Sequence, residues 1–130
     1  MKEPGKVTGD ITVTGDCAFY RPAGGTTLEE AVELVDQAVV FARDHSVPKL
    51  LINAAGLTGF PSPSLPERYF YVRRFAASAQ GVVQLALVIQ AGMIDPEKFG
   101  VIVARNAGMN AEVFAAEPEA LAWLAGQRRG

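Results

Sequence analysis

The sequence predicts an α/β domain on a mixed sheet, parallel in its body with an N-terminal antiparallel hairpin at one side, in the order β-β-α-β-α-β-α-β-α. Three observations predict it. Alternating apolar and polar residues around a Gly15-Asp16 turn open the chain. Two unbroken apolar runs, Leu50-Leu51-Ile52 and the longer stretch from Val82 to Ile89, have the composition of strands covered on both faces. Between them lie segments whose apolar residues recur three and four apart behind helix-start signals. A chain of 130 residues suits one core, and no Gly/Ser-rich or charged stretch divides it, so residues 1–130 are expected to form one domain.

Ile11 and Val13 alternate with Thr12 and Thr14, and Gly15-Asp16 turns the chain into Cys17-Ala18-Phe19-Tyr20-Arg21, giving a hairpin. A Pro22-Ala23-Gly24-Gly25 turn precedes Thr26-Thr27-Leu28-Glu29-Glu30, two overlapping capping boxes for a helix that runs to about Asp44. Leu28, Ala31, Val32, Val35, Ala38, Val39 and Ala42 form its inward stripe, while Glu29, Glu33 and Asp36 read as a solvated face. Ser64-Leu65-Pro66-Glu67 starts a second helix with Leu65, Tyr69, Val72, Ala76 and Ala79 inward. Asp95-Pro96 is expected to begin a third, which Gly108 ends; Glu112-Val113-Phe114 is the last strand, and Pro118 opens a terminal helix through Leu124.

Composition narrows the functions. Twelve Lys+Arg against 14 Asp+Glu leave a net charge of -2, unlike the basic footprint of a nucleic-acid-binding domain. One cysteine, Cys17, excludes an internal disulfide, and one histidine, His45, excludes multi-His metal centres. Cys17 reads as a small buried residue, and His45 as a helix C-terminal cap. No nucleophile–base pair, metal set or phosphate loop is visible, so the expected role is non-enzymatic, without cofactor or metal. The amino terminus, Met1-Lys2-Glu3-Pro4-Gly5, carries no apolar leader, and no run approaches the roughly 18 apolar residues of a membrane span, which points to the cytoplasm.

The opening hairpin, the long helix before Lys49-Leu50-Leu51-Ile52-Asn53, the strand Leu85-Ala86-Leu87-Val88, and Val113-Phe114 followed by Glu119-Ala120-Leu121-Ala122-Trp123-Leu124 together resemble the STAS superfamily, in its SpoIIAA-like branch of anti-sigma factor antagonists. The resemblance covers nearly the whole chain. It implies a bacterial signalling module that binds other proteins, with a serine at the start of the helix after the central strand phosphorylated by a kinase and dephosphorylated by a phosphatase. Where that family has an Asp-Ser-Ser-Gly type sequence, this chain has Gly59-Phe60-Pro61-Ser62-Pro63-Ser64, and Asn53 replaces a common acidic residue.

The residues themselves direct attention to the same region, since open α/β sheets bind ligands beyond the carboxyl ends of their strands. The connection at residues 53–63 is long for a βα loop. Asn53, Thr58, Phe60 and Arg68 are its candidate loop, ligand or partner contacts, and Ser64 and Ser62 its candidate phosphorylation sites. A phosphoryl group there meets a positive helix end, with Arg68 one turn on; the plainer role of Ser64 is that of an N-cap. Phe70, Tyr71 and Arg74 form a candidate interface, for a partner or for a second copy in a homodimer, because aromatics beside arginines are enriched at hot spots. A second function fits the same chain: a small-ligand or lipid carrier, with Leu57, Phe60, Leu65, Phe70 and Met93 lining a pocket.

Overall fold

The computed structural model describes residues 7–127; Met1-Lys2-Glu3-Pro4-Gly5 and the last three residues lie outside them. Strands β1 (Ile11–Thr14) and β2 (Cys17–Tyr20) form the expected hairpin, antiparallel with Thr14 opposite Cys17. Gly15 makes the turn at φ +62, a left-handed conformation that glycine adopts without strain. Next come β3 (Ala23–Gly25), α1 (Leu28–Asp44), β4 (Lys49–Asn53), β5 (Gly56–Thr58), α2 (Leu65–Ala79) and β6 (Gln84–Val88). A single 3₁₀ turn at Ala91–Met93 leads to α3 (Phe99–Asn106), β7 (Ala111–Phe114) and α4 (Glu117–Ala125). The main sheet has the order β1-β2-β4-β6-β7, and every pair after the hairpin is parallel.

The central strands explain the layering. Leu50, Leu51 and Ile52 are each 0% exposed, so both faces of β4 must be covered. Leu50, Ile52 and Leu85 face Val35, Ala38 and Val39 of α1 and Phe75, Ala76 and Ala79 of α2. Leu51, Ala86 and Val88 point the other way, onto Ala120 and Leu124 of α4 with Phe114 and Trp123 beside them. Three helices therefore lie on one face and one on the other.

The caps follow local chemistry. Thr27 Oγ1 accepts from the Glu30 N–H at 3.1 Å, while Thr26 Oγ1 donates to the Glu30 carboxylate at 2.8 Å. Ser64 and Glu67 close a full capping box on α2. His45 is the C-cap of α1, with Nδ1 at 2.9 Å from the Phe41 carbonyl oxygen and its ring stacked on Phe41.

Five expectations need correction. Pro22-Ala23-Gly24-Gly25 is more than a turn: β3 pairs in parallel with β5, a two-stranded sheet whose backbone pairing leaves no side-chain period to read. Asp95-Pro96 precedes α3 without starting it, because Lys98 at φ +54 breaks the helical path; Asp95 Oδ2 instead accepts from the Phe99 N–H at 2.7 Å, the first residue of the helix. Asp36 is only 7% exposed, not solvated, because α2 packs over it: Ser78 Oγ donates to it at 2.6 Å and Arg74 Nη2 lies 3.3 Å away. On α2, Leu65 (51% exposed) and Tyr69 (40%) face out, while Tyr71 and Phe75 turn in. The helix is rotated from the expected stripe because the large rings of Tyr71 and Phe75 fill more of the space above the sheet. The strand after α2 also begins at Gln84, leaving Val82 exposed.

Gly59 follows β5 at φ +103, and a Cβ there would lie 2.5 Å from the Thr26 carbonyl oxygen, a backbone atom that cannot swing aside. Gly59→Ala is expected to lower stability by more than about 1 kcal/mol, read as a reduced urea midpoint with an unchanged slope.

Candidate functional site

The carboxyl ends of β2 and β4 meet the start of α4 in a polar cluster. Arg21 donates through Nε to Glu117 Oε2 at 2.7 Å and through Nη2 to Oε1 at 3.0 Å. Asn53 Nδ2 donates to the same Oε2 at 2.8 Å, and Asn53 Oδ1 accepts from the Ala55 N–H at 3.0 Å. Asn53 thus both turns the chain out of β4 and ties it to α4. An amide at this position donates to the carboxylate, where an acid would repel it. Arg21 and Glu117 escape sequence reasoning because 96 residues separate them.

Beyond Asn53 the connection is shorter than the sequence suggests, since β5 occupies residues 56–58 and pairs with β3. Thr58 is exposed, with its Oγ1 3.5 Å from the Gly24 carbonyl oxygen, a weak contact. Phe60 is half-buried, and Ser62 and Ser64 are exposed. The two serines differ in their surroundings. Ser64 Oγ accepts from the Glu67 N–H at 3.3 Å while the Glu67 carboxylate accepts from the Ser64 N–H at 2.8 Å. Ser62 Oγ accepts from Arg68 Nη2 at 2.9 Å, and the same nitrogen donates to the Met93 carbonyl oxygen at 3.0 Å. The structure thus brings Ser62 and Arg68 together and leaves Ser64 to the helix.

Phe70 is 71% exposed on the outer side of α2, with Tyr69 edge-on to it at 5.5 Å between ring centroids. Arg74 does not stand free beside them: it reaches Glu33 at 2.6 Å and Asp36 at 3.3 Å on α1. That pairing holds the Glu33 carboxyl below its usual range. Tyr71 is turned away from Phe70 toward the core, and burial pushes its hydroxyl above the usual tyrosine range. The three candidate interface residues thus divide between the outer face, the α1–α2 seam and the interior.

The interior side of Tyr71 opens on a cavity of about 130 Å³ between α1, α2, α3 and the sheet. Leu57, Phe60 and Met93, expected to line a pocket, do line it; Leu65 and Phe70 do not. Deeper walls come from Val35, Phe75, Leu85, Val101 and Ala104, and Arg68 is the charged residue among those that line it.

Cys17 is half-buried against the α4-side cluster, and burial followed by the Asp16 carboxylate pushes its thiol up, which lowers its reactivity. Among the described residues no cluster of His, Cys, Asp and Glu could hold a metal ion, and no helix is long and apolar enough to cross a membrane.

The Arg21 hydrogen bond is the largest influence on the Glu117 carboxyl and lowers it from the ordinary 4.5, with Asn53 acting in the same direction. A carboxyl lowered in the folded state stabilises fully above its unfolded value and loses that contribution as pH falls through the lowered one. Glu117→Gln is therefore expected to be less stable than the parent at about pH 7 and to converge with it once the pH has fallen below the lowered carboxyl value, as read in urea titrations across the acid range.

No protein-family model matches the chain, and no curated protein matches it in sequence. Solved structures do match in shape. An anti-sigma factor antagonist from Mycobacterium paratuberculosis superimposes with a TM-score of 0.59 at 13% identity, over 96% of this chain and 99% of that one. A DUF3478-family protein with a SpoIIAA-like fold from Shewanella loihica PV-4 gives 0.53 at 16% identity, over 95% and 98%. The likeness is one of shape: the chain has a SpoIIAA-like fold.

Proposed function

We propose that this chain is a non-enzymatic regulatory module that binds a protein partner through the loop at residues 53–64 and the outer face of the helix that follows it, α2, and that a phosphoryl group on Ser62 switches that binding. The shape shared with an anti-sigma factor antagonist supports the general role. The observation that carries the switch is Arg68, whose guanidinium already donates to Ser62 Oγ at 2.9 Å. A phosphate on Ser62 gains charge-assisted hydrogen bonds from that guanidinium and lies near the positive end of α2. Ser64 is the poorer acceptor. Its backbone N–H holds the Glu67 carboxylate at 2.8 Å, so a phosphate on its side chain meets a like charge one turn away.

Phe60 in the loop and Phe70 on α2 give the partner apolar anchors, and Asn53 and the Thr58 main chain hold the base of the loop. The partner is a kinase, a phosphatase, or a target released by modification.

Peptide mapping by mass spectrometry of the chain purified from its native cells tests the switch. Phosphate on Ser62, lost in Ser62→Ala and retained in Ser64→Ala, is the expected result. Phosphate on another residue, or none under any growth condition, overturns it.

A further inference from the structure

Domain interiors hold few voids larger than a water molecule, so the cavity beneath α2 stands out from ordinary packing. Its walls are aliphatic and aromatic: Val72 and Phe75 from α2, Val101 and Ala104 from α3, Leu85 and Leu87 from β6. Apolar cavities of about 150 Å³ remain dry and take up benzene, and this one is about 130 Å³. The half-buried Phe60, Pro63 and Met93 border it on the side of the loop, where the chain meets solvent.

The mouth has a definite charge. Arg68 lines the cavity, and its hydrogen bonds go to two neutral oxygens, Ser62 Oγ and the Met93 carbonyl. Among the described residues no carboxylate forms an ion pair with it. The nearest acid along the helix, Glu67, is engaged by the Ser64 N–H. Tyr71 also lines the cavity, and the charges of both Arg68 and Glu67 act on its hydroxyl. A guanidinium without an acidic partner, held at the edge of an apolar chamber, matches a ligand with an anionic head and one apolar tail. The two neutral contacts fix the guanidinium before the ligand arrives, which lowers the ordering cost of binding.

We propose that the cavity binds a small amphiphilic carboxylic acid, its single tail the size of a benzene ring or a short alkyl chain, seated between α2, α3 and β6, and its carboxylate on Arg68. The volume is too small for a two-tailed phospholipid. Binding requires neither a protein partner nor modification of Ser62, although both the ligand and a phosphate on Ser62 would draw on Arg68.

Hexanoate and its uncharged counterpart 1-hexanol are the probes, followed by calorimetry and by amide chemical-shift mapping on the full chain. Hexanoate is expected to bind more tightly than 1-hexanol and to move the amide signals of Val72, Val101 and Leu87. Arg68→Gln is expected to weaken hexanoate about tenfold or more, the worth of a hydrogen bond to a charged group, and to weaken 1-hexanol far less. Gly100 lines the cavity from α3, and a Cβ there meets only Val72 Cγ2 at 3.5 Å, an ordinary contact. Gly100→Leu is expected to abolish binding of both probes with the thermal midpoint at or above the parent's, since leucine favours a helix over glycine. Should Gly100→Leu fail to fold, Arg68→Gln decides the matter by itself. The proposal is overturned by absence of hexanoate binding, by equal affinity for the two probes, by unchanged hexanoate affinity in Arg68→Gln, by shifts confined to the Phe70 face, or by binding to phosphatidylglycerol vesicles without hexanoate binding.

Discussion

Everything in this molecule is arranged around a strand that cannot touch water on either side. With Leu50, Leu51 and Ile52 all inaccessible, β4 requires a layer above and a layer below, and its parallel neighbours require crossovers that supply those layers. α1, α2 and α3 cover one face and α4 the other. The connections at the carboxyl ends of β2 and β4, and the start of α4 after β7, then converge at one edge. That convergence places Arg21, Asn53 and Glu117 within hydrogen-bond distance of one another although the chain scatters them widely.

The coverage is unequal in quality. On the α4 side Leu51, Ala86 and Val88 meet Ala120 and Leu124 in a small, close cluster. On the opposite side the helices are held to each other partly by polar contacts: Arg74 of α2 grips Glu33 and Asp36 of α1, and Ser78 completes the hydrogen bonding of Asp36. A buried carboxylate with two donors fixes how α1 and α2 sit side by side. The cavity lies beyond this clamp, toward α3, where small residues such as Gly100 and Ala104 leave room above Leu85 and Leu87.

Much of this architecture could be read from residue order. Unbroken apolar runs located β4 and β6, capping boxes located the starts of α1 and α2, and Pro118 the start of α4. The errors share a cause. The β3–β5 pair is held by backbone hydrogen bonds across a gap of more than thirty residues, leaving no side-chain signature. The rotation of α2 and the burial of Asp36 were set by neighbouring helices, which periodicity within one segment does not record. Of the candidate site, proximity along the chain was enough to associate Arg68 with the loop serines. It could not tell that the guanidinium would reach Ser62 while Ser64 closed the helix, nor find the long-range partnership of Arg21 with Glu117.

Arg68 Nη2 divides its donation between a side-chain oxygen of the loop and a main-chain oxygen of the turn before α3. A single nitrogen with two acceptors is a balance: stronger attraction on one side weakens the hold on the other. Extra negative charge at Ser62 would draw the guanidinium away from Met93, loosening the 3₁₀ turn that borders the chamber. By thermodynamic reciprocity, whatever favours the Met93 side disfavours the Ser62 side to the same extent. One side chain thereby places the exposed loop and the interior in the same equilibrium.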